Sequence, residues 1–251
     1  MRSRVPRSIL AACALSVLAA CRGDDATDEV RAQQKEILAQ LQALDEKVDK
    51  LAAARPAPPA NRPTGPDTTR AYNLPAGQSP TAGPENAPIT IVEFSDYECP
   101  SCARAEPLIR QALDAYPTQA RFVFKHFPLT SIHPQAKPAA LAAAAAQQQG
   151  KFWEMHALLF ANQRALGDEQ LREYARRLNL DLARFDADRE SEAIKQQVQD
   201  DIRLGQRVGV RGTPTIFVNG KYLQNRSLDG FKQVIEPMLK DQPAAAPNAG
   251  G

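Results

Sequence analysis

The sequence predicts an α/β domain in which a strand–helix–strand half and a strand–hairpin–helix half are separated by inserted helices. Three observations carry that expectation. A β-branched apolar run, Pro88-Ile89-Thr90-Ile91-Val92-Glu93-Phe94, leads into Cys99-Pro100-Ser101-Cys102 and then into a helical period. A second β-rich run, Thr215 to Val218, opens directly after Pro214 and closes on Asn219-Gly220. From about 134 to 208 the apolar residues recur at helical spacing.

The first half reads as a strand over Ile89 to Phe94, a helix over Cys99 to Tyr116 and a strand over Arg121 to Phe127. Ala103, Leu108, Ile109 and Leu113 mark the inner face of that helix, and Pro100 is tolerated because the first turn needs no N–H from it. In the second half, proline is allowed at the first position of a strand, so Pro214 fits where it stands. Asn219-Gly220 predicts a type I′ turn returning along Lys221 to Gln224, and Leu228 to Lys240 is the closing helix. Within the insertion, Ala139 to Gln149 is a strong helix former and Phe152 to Asn162 carries an amphipathic Trp-Met-Leu-Phe face. Asp168 is a candidate cap for Glu169 to Leu178, and Asp188 for a helix running to Arg207.

Chemistry concentrates in Cys99 and Cys102. A thiol at a helix N-terminus faces unpaired N–H groups and the positive end of the macrodipole, which favour the thiolate, the species that attacks disulfides. Cys102, one turn later, is shielded and suited to resolving a mixed disulfide. Half of a zinc site has the same spacing, as has a purely structural disulfide. The other cysteines, Cys13 and Cys21, lie in the N-terminal export-like segment, so a four-thiolate zinc site is excluded. Copper or zinc held by Cys99, Cys102 and His133 remains an alternative. Ala103 follows Cys102, so the CxxCH haem pattern is absent, and no other cofactor motif is present.

Taken together, the stretch from Ile91 to Cys102 (IVEFSDYECPSC) and that from Gly212 to Gly220 (GTPTIFVNG) resemble the thioredoxin superfamily, and within it the DsbA-like thiol–disulfide oxidoreductases. The resemblance covers roughly Ala87 to Leu239 and implies a thioredoxin-like fold with a helical insertion. It implies a redox-active Cys99–Cys102 disulfide, a cis Thr213–Pro214 peptide facing it, and a Thr213 backbone that pairs with a substrate strand. It further implies that Glu93 is the buried acid that moves the proton of the resolving thiol; an ordinary edge carboxylate is the alternative. Lys125 is the candidate partner of Glu93. Protein dithiol oxidation is the implied activity; threonine before the proline also resembles the disulfide isomerases. The implied partners are cysteine-containing exported proteins and a membrane redox protein that recycles the thiols.

Nearby, His133 is read as a cap for the alanine-rich helix rather than a group approaching the thiols. Trp153, His156 and Phe160 are read as core and rim of the insertion. Tyr97 and Glu98 are candidates for shaping the substrate surface, with Glu98 opposing a thiolate.

The N-terminus carries Arg2, Arg4 and Arg7 before a short apolar run, the layout of a signal peptide over 1–20. Leu18-Ala19-Ala20-Cys21 resembles a bacterial lipobox, which implies cleavage before Cys21 and its lipidation; an unlipidated signal peptide or an uncleaved anchor are the alternatives. Arg22 after that cysteine favours an outer-membrane anchor facing the periplasm, if the organism has one. Loss of 1–20 removes three arginines and no acid, taking the formal charge from +2 to −1 and leaving no basic field for nucleic acid.

Within 21–54, Val30, Gln34, Ile37, Leu41, Leu44, Val48 and Leu51 alternate at spacings of four and three, the pattern of a coiled-coil stalk that would bring copies together. A lone amphipathic helix has the same stripe. From Arg55 to Pro88 the chain holds nine prolines and no apolar period, so 55–86 is expected to be a semi-rigid linker, 87–240 the domain and 241–251 a disordered tail.

Overall fold

The structure, a computed structural model, describes residues 24–54 and 65–241. The signal segment, Cys21 and nearly all of the expected tail lie outside the described residues. The chain divides into two units, Met1–Arg62 and Pro63–Gly251. In the first, α1 (Asp24–Ala54) is helical and its apolar stripe is open: Val30, Ile37, Leu41 and Leu44 are all exposed. No helix among the described residues is long and apolar enough to cross a membrane.

The second unit is built on a five-stranded sheet of order β1-β3-β2-β4-β5. Its strands are β1 (Thr81–Ala82), β2 (Ile89–Ser95), β3 (Ala120–His126), β4 (Thr215–Val218) and β5 (Lys221–Tyr222). The two central strands, β2 and β3, run parallel through the crossover helix α2 (Pro100–Ala115), while β4 lies antiparallel on the other side of β2. The β4–β5 hairpin turns at Asn219 (φ 46°) and Gly220 (φ 78°), both in the left-handed region that a type I′ turn requires. A Cβ at Gly220 would meet the Tyr72 carbonyl oxygen at 2.2 Å, so glycine is needed for space as well.

Strand alternation divides the core in two. Ile89 and Ile91 of β2, Phe122 and Phe124 of β3, and Ile216 and Val218 of β4 face one cluster. There they meet α2 and α8 (Leu228–Lys240) through Ile109, Ala112, Phe231 and Ile235. Val92, Phe94, Val123 and Phe217 face the other, against Phe127, Val208 and Val210. Burying each such side chain contributes on the order of 1.5–3 kcal/mol.

The insertion contains five helices: α3 (Ala136–Gln147), α4 (Phe152–Ala161), α5 (Asp168–Arg177), α6 (Leu182–Glu190) and α7 (Glu192–Arg207). Six of the alanines of α3 are fully enclosed, which lets Ala140 and Ala144 pack directly on Ile194 and Val198 of α7. The caps differ from expectation. Asp181 accepts from Arg184 N to start α6 and Ser191 accepts from Ile194 N to start α7, while Asp188 lies inside α6. Asp168 is the first residue of α5 rather than its cap. His156 is buried and Trp153 and Phe160 are partly buried against the main core, where core and rim were expected.

The larger difference concerns the proline-rich stretch. Residues 55–64 of the expected semi-rigid linker lie outside the described residues, and from Gly65 onward it is a strap on the domain: Tyr72, Leu74 and Ala76 pack on the second cluster, Ala71 bridges to Lys221, and β1 pairs with β3. Prolines limited its secondary structure but not its apolar contacts. The strap is also fixed by a buried polar knot. Lys125 Nζ donates to Ala76 O (2.8 Å) and Ser79 Oγ (2.7 Å) and lies 3.0 Å from Asp201 Oδ1, while Asp201 Oδ2 accepts from His126 N at 3.0 Å.

Removing one member of such a pair leaves a buried charge uncompensated. Asp201→Leu is expected to lower stability in urea unfolding by about 3–5 kcal/mol, and the double variant Lys125→Met/Asp201→Leu to recover most of that loss.

Candidate active site

Cys99 is the N-cap of α2, with extended backbone (φ −78°, ψ 117°) and Pro100 in the first helical position. The cap accepts from Cys102 N (3.1 Å) and Ala103 N (3.3 Å) through its carbonyl, leaving its thiol over the open end of the helix. The Thr213–Pro214 peptide bond is cis, and the Cys99 thiol donates to Thr213 O at 3.4 Å. Arg226 holds the same loop by donating to Pro214 O at 2.9 Å. Cys99, Cys102, Thr213 and Pro214 thus converge.

The two thiols, both free, are driven apart in acidity. Cys99 is lowered to about 5, chiefly by the hydrogen bond from Cys102 and then by the Thr213 hydroxyl and the N–H groups of Cys102 and Ser101, which together outweigh its burial. That hydroxyl has no other partner, so it is free to serve the thiolate. Cys102 is raised, first by burial and then by its bond to Cys99 and by the charge of Glu93.

Glu93 lies on the face of β2 turned toward α2, fully buried, with Oε1 accepting from Ser95 Oγ at 3.0 Å and Oε2 unpaired. Burial, then the charge of Glu106, pushes its carboxyl well above the usual range. Lys125 is not its partner. In register Glu93 lies beside Phe124, and Lys125 beside Phe94, so Lys125 points to the opposite face and pairs with Asp201.

Other expectations also change. His133 does not cap α3, whose cap is Gln135; its Nδ1 lies 2.8 Å from Asp96 Oδ2. No cluster of three potential metal ligands occurs among the described residues. Tyr97 is core rather than substrate surface, stacked on Phe124 with its hydroxyl 3.2 Å from His156 Nδ1. Glu98 Oε2 accepts from Gln135 N at 2.7 Å, which ties it to the start of α3.

Four supporting residues escaped the sequence reading. Asp96 accepts from Glu98 N, Leu129 N and His133; Gln163 Nε2 donates to both Tyr97 O (2.8 Å) and Cys99 O (2.9 Å); Ser95 and Arg226 act as described. The polar pair Ser95-Asp96 at the end of an apolar strand was a usable signal, whereas nothing around Gln163 or Arg226 marked them.

A thiol of lowered pKa at a helix start, a shielded thiol one turn on, and a cis-proline loop across from them form an arrangement chemically able to carry thiol–disulfide exchange. The chain belongs to the thioredoxin family, whose model matches residues 76–237. Among solved structures it resembles a thioredoxin-like oxidoreductase from Silicibacter pomeroyi, with 27% identity and a TM-score of 0.60 over 65% of this chain and 94% of that one. It also resembles oxidised BdbD from Bacillus subtilis, with 27% identity and a TM-score of 0.56 over 70% and 96%. A curated relative, the Na(+)/H(+) antiporter NhaA 3 of Salinispora tropica, is 48% identical over 139 residues, 55% of this chain but 21% of that protein. The match therefore spans about a fifth of that longer relative.

Because the Cys99 pKa is depressed from 9.0 to about 5, its contribution to the stability of the reduced protein is complete above pH 9 and is lost as pH falls through 5. Urea unfolding of reduced wild type and of Cys99→Ala is expected to diverge across that window, and iodoacetamide alkylation of Cys99 to titrate with a midpoint near 5.

Proposed function

We propose that this protein is an exported thiol–disulfide oxidoreductase that oxidises dithiols in cysteine-containing protein clients through Cys99 and Cys102. The observation that carries the reading is the split between a Cys99 thiol lowered to about 5 and a Cys102 thiol that is raised. A client thiolate attacks the Cys99 sulfur of the enzyme disulfide, and Cys102 leaves and takes up a proton. The client's second thiolate then attacks the client sulfur of the mixed disulfide, and Cys99 leaves as the stabilised thiolate. Two electrons pass to the enzyme, and a membrane redox partner removes them.

Stabilising the leaving thiolate makes the reduced form favourable and the disulfide oxidising. Cysteine acidities of roughly 7 in thioredoxin and 3.5 in DsbA bracket the value of about 5 here. Each unit is equivalent to about 30 mV where the thiolate is the populated form. Ser101 stands where DsbA has a histidine, consistent with an intermediate oxidant.

Lipidation at Cys21 would hold the protein at the periplasmic face of the envelope, on the outer membrane if there is one, and α1 would serve as a self-associating stalk. The exposed stripe of α1 and the threonine before the cis proline support a second reading, that of an isomerase or reductase.

Equilibration with glutathione is expected to place the potential between roughly −270 mV, the thioredoxin value, and roughly −120 mV, the DsbA value. An oxidase accelerates recovery of reduced ribonuclease only; rescue of the scrambled form would decide for the isomerase.

A further inference from the structure

His133 sits in the connection between β3 and α3, in a turn closed by Ile132 N and His133 N, which donate to Leu129 O at 3.0 and 2.9 Å. Its ring is tied to the segment that leads into the thiols. Nδ1 lies 2.8 Å from Asp96 Oδ2, and the Asp96 side chain is fully enclosed, with Oδ2 also accepting from Leu129 N and Oδ1 from Glu98 N, both at 2.8 Å. The main-chain carbonyl of the same aspartate accepts from Cys99 N at 3.1 Å, so one residue holds both the imidazole and the thiol-bearing cap. A carboxylate can only accept, which places the Nδ1 proton on the ring and fixes its tautomer. Nε2 has no partner among the described residues, and the ring lines an open depression with Glu98, Pro100, Gln163 and Arg164 beside the start of α2. The ring therefore gains and loses its titrating proton at Nε2 without breaking the bond that positions it.

We propose that His133 is a positioning residue for Cys99: clamped by Asp96 at the mouth of the site, it takes up a proton when the Cys99–Cys102 disulfide is reduced and so holds Cys99 in its thiolate form. The inference rests on the thiol-exchange reading above. A client dithiol gives up two electrons and two protons as its own disulfide forms. The enzyme S–S bond breaks, one proton goes to the Cys102 sulfur and the other to Nε2 of His133, and Cys99 is left as the thiolate. The charged groups that face the ring are Asp96 and Glu98 from the segment before α2, Cys99 at its cap and Arg164 from the loop between α4 and α5. Of these, only Cys99 changes its charge with the redox state. Burial pushes the ring down, but the bond to Asp96 and its charge, then the charges of Cys99 and Glu98, outweigh it and raise the ring above its ordinary 6.5. Forming the disulfide removes the Cys99 charge and leaves the others, so the oxidised protein holds the His133 proton less tightly. Linkage is reciprocal: the protonated ring favours the reduced protein and makes its disulfide the stronger oxidant.

The test is an NMR titration of the His133 ring in the full chain with EDTA present, first reduced and then oxidised with diamide, from pH 5 to 9. The signal is assigned by its loss in His133→Asn, whose amide keeps a donor for Asp96 and carries no charge. The His133 midpoint is expected to lie about half a unit to one unit higher in the reduced protein, and the iodoacetamide midpoint of Cys99 to rise by about the same amount in His133→Asn. That variant is then about three- to tenfold less oxidising toward glutathione than wild type at pH 6, where the ring is charged, and equal to it at pH 9. His133→Lys is expected to restore the Cys99 midpoint and to keep its oxidising power at pH 9, since its cation persists there. Equal His133 midpoints in the two redox states, a Cys99 midpoint unmoved in His133→Asn, a deficit of the same size at pH 6 and pH 9, or a lysine variant indistinguishable from the asparagine one would each overturn the proposal. Should His133→Asn fail to fold, the two wild-type midpoints decide, with the signal assigned through His133→Lys. A wild type inert toward glutathione overturns the exchange function, while the His133 midpoints, read on the disulfide made by diamide, still decide the redox-linked proton.

Discussion

Everything in the site follows from one placement, that of the Cys99 side chain at the open N-terminus of α2 with Thr213 across from it. A helix start offers N–H groups without partners, and a cap residue leaves its side chain beside them. Here the cap is a thiol that accepts no capping bond, so its sulfur remains available for chemistry. Cys102 then falls one turn inside, where the same helix buries it completely. The asymmetry between the thiols is a geometric consequence of a two-residue spacer on a helix, and burial enlarges it.

That placement is held from the insertion side. Gln163, in the loop after α4, accepts no role in the thioredoxin-like core, yet it binds the carbonyls on both sides of Glu98. Asp96 gathers Glu98 N, Leu129 N and His133, and Glu98 fixes Gln135 N at the start of α3. The helical insertion therefore positions the thiol approach segment through polar bonds as well as covering the sheet with apolar surface. A loosened α3–α4 unit would be felt at Cys99 without touching its sulfur.

The fold was legible because strand and helix periods, a proline at the start of β4 and an Asn-Gly turn are local signals. β4 and α8 fall where the residues place them, and β2 and β3 lie within a residue of expectation. What the residues did not disclose is which face a charge takes relative to distant partners. Lys125 was paired with Glu93 from its place in an apolar strand, but a strand alternates, and its register against β2 sends it to the other side. The strap from Gly65 was hidden for a different reason: proline content speaks of missing backbone donors and leaves unsaid whether Tyr72 and Leu74 find a surface to cover. Gln163 and Arg226 act on backbone carbonyls, which have no sequence signature at all.

Separation of buried charge by sheet face links these threads. On the strap face, Lys125 and Asp201 pair within a closed set of bonds that ties the strap to the sheet. On the α2 face, burial and the charge of a second acid, Glu106, outweigh the more weakly acting Arg226 and raise the affinity of Glu93 for a proton. Had Lys125 turned toward Glu93, the carboxylate would be held ionised and would take a proton less readily. The register of two adjacent strands thereby decides whether the buried acid is a fixed anion beside a lysine or a carboxyl whose burial favours its neutral form.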